Sequence, residues 1–322
     1  MTTGSHAPAG ILCALITPFG EDQATDLAPL KDDVDFLIER GVHGLFVLGT
    51  TGEGVLLDPS ERRGVAEFVL QHVGGRIPVI VHCGAPDTKT TADLARHAQD
   101  NGADAAAAVV PYYFQYTVPE LYRHFVAVAN AAPDIGHYVY ENPERVGYSA
   151  GVKLVARLVS EVANIHGVKD TGDSIGKMTD YLTQPKTTIE VYTGNNSTIF
   201  PALMIGARGA VSALANAVPE LVVGIYERWK EGHLDEARDL QYTLAKLHSS
   251  LAGVSFVGAV KHLMKRRGLA GGLARAPQSL LTPEEAGPFD RRLAAFEDVR
   301  AWLAPAAAAA SPGSSPAPAP PG

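Results

Sequence analysis

The lysine that closes the apolar run IHGVKDTG, residues 165–172, is the first residue of this chain to invite chemistry. Lys169 follows Val168 where a buried strand should end. Burial disfavours an ammonium ion, lowers its pKa and leaves a neutral amine able to attack a carbonyl and form an imine. Tyr140 ends the preceding apolar run, GHYVYENP at 136–143. If the two runs are neighbouring strands, its phenol can move protons to and from a substrate held on the amine. The ordinary alternative is a lysine reaching out to water and a tyrosine filling a core layer. The segment GTTGE at 49–53 adds a second kind of chemistry. Its glycines permit a sharp turn, its backbone N–H groups can form a nest, and Thr50 and Thr51 add hydroxyl donors, which together suit a carboxylate such as that of a 2-oxo acid.

These residues need elements to position them, and the chain supplies a regular beat. Eight apolar runs, at 11–19, 43–49, 77–84, 105–112, 136–143, 165–172, 188–195 and 207–216, start at intervals of roughly 20–34 residues. Most are near-continuous and aliphatic, as strands covered on both faces are. Helical patterns lie between them. Asp58-Pro59-Ser60-Glu61 and Thr117-Val118-Pro119-Glu120 both read as N-cap, early proline and capping-box glutamate. The alternation predicts an α/β fold, a (β/α)8 TIM barrel over 10–232, with chemistry where strands end and βα loops begin. Thr50, Tyr113, Tyr140, Lys169 and Gly194 all fall at such ends. Further helical segments near 219–231, 234–267 and 283–303 close the barrel and form a C-terminal extension over 233–303. Residues 1–9 are expected to be flexible, and 304–322, APAAAAASPGSSPAPAPPG, to be a disordered tail.

Composition narrows the classes of function. The 322 residues are 46% hydrophobic and 19% charged, enough for a large core, and the net charge of −8 disfavours nucleic acid or an anionic membrane as partner. Two cysteines, Cys13 and Cys83, form no CxxC pair and suit a reducing cytosol. The N-terminal stretch carries no basic-then-apolar leader pattern and no apolar run reaches membrane-spanning length, so a cytoplasmic protein is expected. Gly172 to Met178 resembles a phosphate-binding loop but is one residue short between its glycines and lacks the closing Ser or Thr. The eleven histidines contain neither HxH nor HExxH, so no metal is expected, and nothing calls for a cofactor. His82 reads as a hydrogen-bonded barrel histidine, Glu53 as a brace for the GTTGE loop, and Asn195 and Asn196 as helix caps.

Taken in order, GTTGE at 49–53, PYY at 111–113, YENPERVG at 140–147 and GVKDTG at 167–172 resemble the dihydrodipicolinate synthase and N-acetylneuraminate lyase family of class I pyruvate-dependent aldolases. The resemblance covers roughly residues 10–300. It implies that Lys169 forms a Schiff base with pyruvate or another 2-oxo acid and that Tyr140 shuttles protons over the imine. It further implies that Thr50 and Thr51 hold the carboxylate and that Tyr113 extends the relay, in many relatives across a subunit interface, within a homodimer or homotetramer. Arg145 matches the arginine that in the synthases holds a carboxylate of the second substrate. Gly52, Asn142, Gly194 and Val211 are expected to line the substrate pocket. The second substrate is then an aldehyde or an aldol.

Two departures bear on that substrate. The synthases usually read Tyr-Asn-Val-Pro-x-Arg-Thr-Gly, whereas this chain has Glu141 and Asn142 after the tyrosine. An acidic Glu141 beside the phenol is expected to repel an anionic acceptor, and the Tyr-x-Asn-Pro string resembles hydratase-aldolases acting on arylidene pyruvates. Pro86 replaces the asparagine frequent in relatives inhibited by lysine. The alternatives within the class are a 4-hydroxy-tetrahydrodipicolinate synthase, a hydratase-aldolase, or a 2-oxo-sugar-acid aldolase or dehydratase. A different class, a 2-oxo-acid-binding barrel without turnover, needs the carboxylate grip but not the proton relay.

Overall fold

The computed structural model of the protein describes residues 7–185 and 187–305. Eight parallel strands close into one barrel in sequence order. They are β1 (Gly10–Ala14), β2 (Gly44–Val47), β3 (Val79–His82), β4 (Ala105–Val109), β5 (Gly136–Glu141), β6 (Ile165–Asp170), β7 (Glu190–Thr193) and β8 (Gly209–Ser212). Almost every strand residue is buried, because side chains point alternately into the lumen and outward under the helices. The expected barrel is therefore the observed one.

The outer layer comprises α1 (Leu30–Glu39), α2 (Pro59–Val73), α3 (Thr88–Asp100), α4 (Val118–Ala131), the one-turn α5 (Pro143–Val146), α6 (Val152–Glu161), α7 (Ile175–Leu182), α8 (Ile199–Met204) and α9 (Pro219–Lys230). Local rules set several of their starts. The Asp58 side chain accepts from the Ser60 and Glu61 amides while Glu61 reaches back to the Asp58 amide, and Glu120 likewise accepts from the Thr117 amide.

The C-terminal extension holds α10 (Leu234–Ser250), α11 (Phe256–Arg266), α12 (Pro283–Ala294) and α13 (Glu297–Trp302). The segment 234–267, read from sequence as one helical stretch, is two helices. Gly253 adopts φ +80 between them and Ser255 caps α11 by accepting from the Gly258 amide, so the local chemistry of the break overrides the apolar pattern that runs across it. The expected tail falls almost wholly outside the described residues. So do residues 1–6, but Ala7, expected to be flexible, is fully buried. Its amide donates to the Tyr138 hydroxyl and its carbonyl accepts from the Tyr192 hydroxyl and Arg208 Nε, because two tyrosines inside the barrel need partners for their phenols. No helix among the described residues is long and apolar enough to cross a membrane.

Candidate active site

Register decides what meets at the carboxyl end of the barrel. Tyr140 on β5 pairs with Lys169 on β6, and the next pair along is Glu141 with Asp170. Because successive side chains point to opposite faces, the phenol and the amine share the lumen while the two carboxylates share the outer side. Lys169 Nζ lies 3.8 Å from the centroid of the Tyr140 ring and 4.2 Å from that of Phe46. The lysine is only 5% exposed, and burial holds its pKa below the ordinary lysine value, partly opposed by the nearby Tyr140 phenol. Desolvation of the amine favours its neutral form, the form able to attack a carbonyl and form an imine.

The Tyr140 hydroxyl sits in a small polar cluster. It lies 3.1 Å from Thr50 Oγ1, and Asn142 Nδ2 donates to it at 3.0 Å and to Thr50 Oγ1 at 3.4 Å. His82 packs edge-on against the Tyr140 ring. Its Nε2 accepts from the Val109 amide, so its proton is on Nδ1, which donates to the Leu48 carbonyl. Burial lowers its pKa well below the ordinary histidine value, with Arg62 and Lys169 adding to the effect. His82 is therefore a neutral wedge, as its sequence context suggested.

The GTTGE loop is held under strain between two residues with left-handed backbone, Leu48 at φ 63 and Glu53 at φ 54. Gly52 is required by close approach, since a Cβ there would lie 2.8 Å from the Leu15 carbonyl oxygen. Thr51 is buried and Thr50 half-buried. Glu53 braces the loop from below. Its fully buried carboxylate accepts from Lys261 Nζ at 2.9 Å and from the Arg275 amide at 2.9 Å. Lys261, on α11, also donates to the Thr17 and Leu273 carbonyls, so the C-terminal extension secures the loop.

The remaining sequence-derived candidates separate. Gly194 follows β7 beside the amine, and a Cβ there would meet Lys169 Cε at 3.2 Å and Thr171 Cγ2 at 2.4 Å. Val211 is buried on β8, in register with Leu12. Arg145 is exposed on α5, one turn beyond Asn142 and outside the hydrogen-bonded cluster. Tyr113 is 89% exposed at φ 81 with its ring against Phe114, so within one chain it takes no part in the cluster around Tyr140. Asn195 caps the turn after β7 by accepting from the Ser197 amide, whereas Asn196 instead meets the Ser212 hydroxyl through its side chain.

Glu141 corrects the sequence reading. It is fully buried away from the lumen, accepts from the Gly151 amide, and lies 3.7 Å from Lys177 Nζ, which is 3.0 Å from Asp170. The two-residue strand period turns it outward, and so it cannot repel an acceptor in the lumen. Phe46 on β2, whose ring faces the Lys169 amine and the Tyr140 ring, is a lumen residue the sequence reading did not single out. Nothing local in the sequence signals Lys261, whose partners Glu53 and Thr17 are more than 200 residues away. Among the described residues no group of three or more His, Cys, Asp or Glu could hold a metal ion.

Comparison with known proteins agrees with this geometry. Residues 7–295 match the dihydrodipicolinate synthetase family. The chain is 35% identical to an uncharacterised DapA-like lyase of Halobacterium salinarum over 90% of its length and 98% of that protein. It is also 35% identical to a 4-hydroxy-tetrahydrodipicolinate synthase of Methanopyrus kandleri, over 83% of this chain and 89% of that one. Among solved structures, YagE of Escherichia coli K12 in complex with pyruvate superposes with a TM-score of 0.85 at 28% identity, covering 91% of this chain and 98% of that chain.

Proposed function

Since the chain belongs to the dihydrodipicolinate synthetase family, it is a Schiff-base-forming lyase of the class I pyruvate-dependent aldolase type, and we propose that Lys169 is its imine-forming residue. The observation that carries the assignment is the buried Lys169 amine against the face of Tyr140, whose hydroxyl is held by Thr50 and Asn142. Neutral Lys169 attacks the keto carbon of pyruvate, and loss of water from the carbinolamine gives the imine. Tyr140 hands over and takes up the protons that these steps move, with Thr50 as its neighbour in the relay. The carboxylate rests on the GTTGE loop, whose backbone amides and Thr51 are oriented by the Glu53 brace. Gly194 leaves the space the amine needs to swing toward the substrate.

The acceptor is an aldehyde, or the substrate an aldol in the reverse direction, entering past α5 and Arg145. With Glu141 turned outward, the electrostatic objection to an anionic acceptor lapses, so 4-hydroxy-tetrahydrodipicolinate synthesis stands as a second reading beside hydratase-aldolase chemistry. Tyr113 and Phe114, exposed together, are suited to cover by a second copy, which fits a homodimer or homotetramer acting in the cytoplasm. A binding barrel without turnover would have no use for the Tyr140 cluster.

Incubation with pyruvate followed by borohydride tests the assignment. One covalent adduct is expected, on Lys169, and none in Lys169→Ala. An adduct mapped to Lys177 or Lys153, or none at all, overturns it.

A further inference from the structure

Asn142 has a position and a side chain that do not match. It stands at the N-cap of α5, where an asparagine ordinarily turns its side-chain oxygen to the first free amides of the helix. Here no such cap bond forms. The side chain is buried, 8% exposed, and its Nδ2 is directed instead to the Tyr140 hydroxyl at 3.0 Å and the Thr50 hydroxyl at 3.4 Å. The same residue's backbone carbonyl accepts from the Arg145 and Val146 amides, so one residue anchors α5 and reaches the reacting phenol.

Hydrogen-bond accounting shows what this achieves. A phenol oxygen has one proton to give and two lone pairs to receive. Asn142 fills one lone pair of Tyr140 with a fixed N–H, and its second N–H fills one lone pair of Thr50. The phenol proton is left to pass toward Thr50 or toward a substrate on Lys169. When Tyr140 acts as base on the imine, its oxygen gains the C3 proton of pyruvate. The C–H electron pair becomes the enamine double bond, and the C=N pair returns to nitrogen. Before that step the oxygen carries negative charge, and the Asn142 N–H is a preorganised donor aimed at it.

We propose that Asn142 is a positioning residue for proton transfer, holding and stabilising the Tyr140 oxygen as the base, and is not a grip on the acceptor. The inference rests on the Schiff-base reading above. Other charged or titratable groups facing the Tyr140 ring are Lys169 from β6 and His82 from β3, the latter neutral; Thr50 and Phe46 approach from the β2 side.

The test compares proton transfer with imine formation. Deuterium uptake at C3 of pyruvate is followed by NMR across pH for the wild type and for Asn142→Leu, Asn142→Asp and Asn142→Gln, alongside borohydride trapping. Folding is checked by circular dichroism. The expected result is that Asn142→Leu slows exchange about tenfold or more and moves the rising limb of its pH profile to higher pH, while the extent of trapping reached at equilibrium, which does not depend on how fast Tyr140 moves protons, falls by less than about twofold. Asn142→Asp, which replaces the donor by a negative charge, moves the limb further, and Asn142→Gln restores part of the rate. Exchange and pH profile unchanged in a folded Asn142→Leu or Asn142→Asp, with only the acceptor KM raised, would make Asn142 a substrate grip and overturn the proposal. A wild type that forms no adduct on Lys169 would instead overturn the Schiff-base reading itself.

Discussion

Removing the Lys261 ammonium should damage the GTTGE loop, the proposed seat of the carboxylate, although the residue lies 92 positions beyond the proposed nucleophile. Its side chain is 1% exposed and its partner Glu53 is fully buried. The ammonium directs three hydrogen bonds, to the Thr17 and Leu273 carbonyls and to Glu53. In Lys261→Met the stem still packs, but the Thr17 carbonyl and one Glu53 carboxylate oxygen lose their donor, while the Leu273 carbonyl keeps the Phe19 amide. Stranding a neutral buried acceptor costs roughly 1–3 kcal/mol. Breaking a buried ion pair by removing one partner costs roughly 3–5 kcal/mol, much of it the uncompensated charge. The Arg275 amide still donates to Glu53, which limits the damage, so we expect a loss of about 3–5 kcal/mol, a large part of the ~5–15 kcal/mol that stabilises a typical fold. Urea unfolding followed by Trp229 and Trp302 fluorescence measures it, and pyruvate trapping on Lys169 should fall as well. The double variant Glu53→Leu/Lys261→Met should lose less than the sum of the single variants, because neither then leaves a lone charge. A loss below ~1 kcal/mol in Lys261→Met, with trapping unaltered, would refute the brace and make the pair incidental to the loop.

Further outcomes follow from other parts of the structure. Burial lowers the Lys169 pKa, so the pH profile of pyruvate trapping should have its midpoint below the ordinary lysine value of 10.5, and a midpoint at that value would contradict the desolvated amine. Gly194→Ala places a methyl against Lys169 and Thr171, and overpacking of about 1–3 kcal/mol together with a clear drop in trapping is expected; unchanged trapping would show that the amine has room to spare. Asp33 is buried on α1, and burial raises its pKa to about 6. A raised carboxyl contributes stability below its unfolded pKa that disappears as pH climbs through the folded one. Wild type should therefore lose up to ~3 kcal/mol relative to Asp33→Asn between about pH 4 and pH 6, read as urea midpoints, and parallel curves for the two proteins would count against it.

The sequence disclosed most where a rule acts over a few residues. The strand beat, the Asp58 and Thr117 starts, and the Thr50, Tyr140 and Lys169 strand ends all rest on local periodicity and local caps. Lys169 and Tyr140 could be placed side by side because a barrel makes consecutive strands neighbours. The outward turn of Glu141 is equally available from strand alternation along the 136–143 run, but comparing 140–147 only with a family string leaves that alternation unused. The Glu53–Lys261 pair was not accessible, since 208 residues separate the partners and only tertiary packing unites them. The break between α10 and α11 was hidden by an apolar pattern that continues through Gly253. Tyr113, expected to extend the relay across a subunit interface, is exposed in the single chain, and its role waits on a second copy.

The alternation along β5 and β6 has a consequence for how this protein can change length over generations. Each strand ends with one residue for the lumen and one for the outer layer, Tyr140 then Glu141, and Lys169 then Asp170. Loss or gain of a single codon upstream within either strand would exchange the two, presenting a carboxylate where the amine belongs and burying the amine beside the helices. A closed barrel offers no free edge along which the strand could slide to repair the error. Insertions and deletions should therefore survive in the turns before β5 and β6 and at the register shift where β6 already carries His166 as an extra residue, while Tyr138–Glu141 and Gly167–Asp170 beyond it tolerate substitution alone.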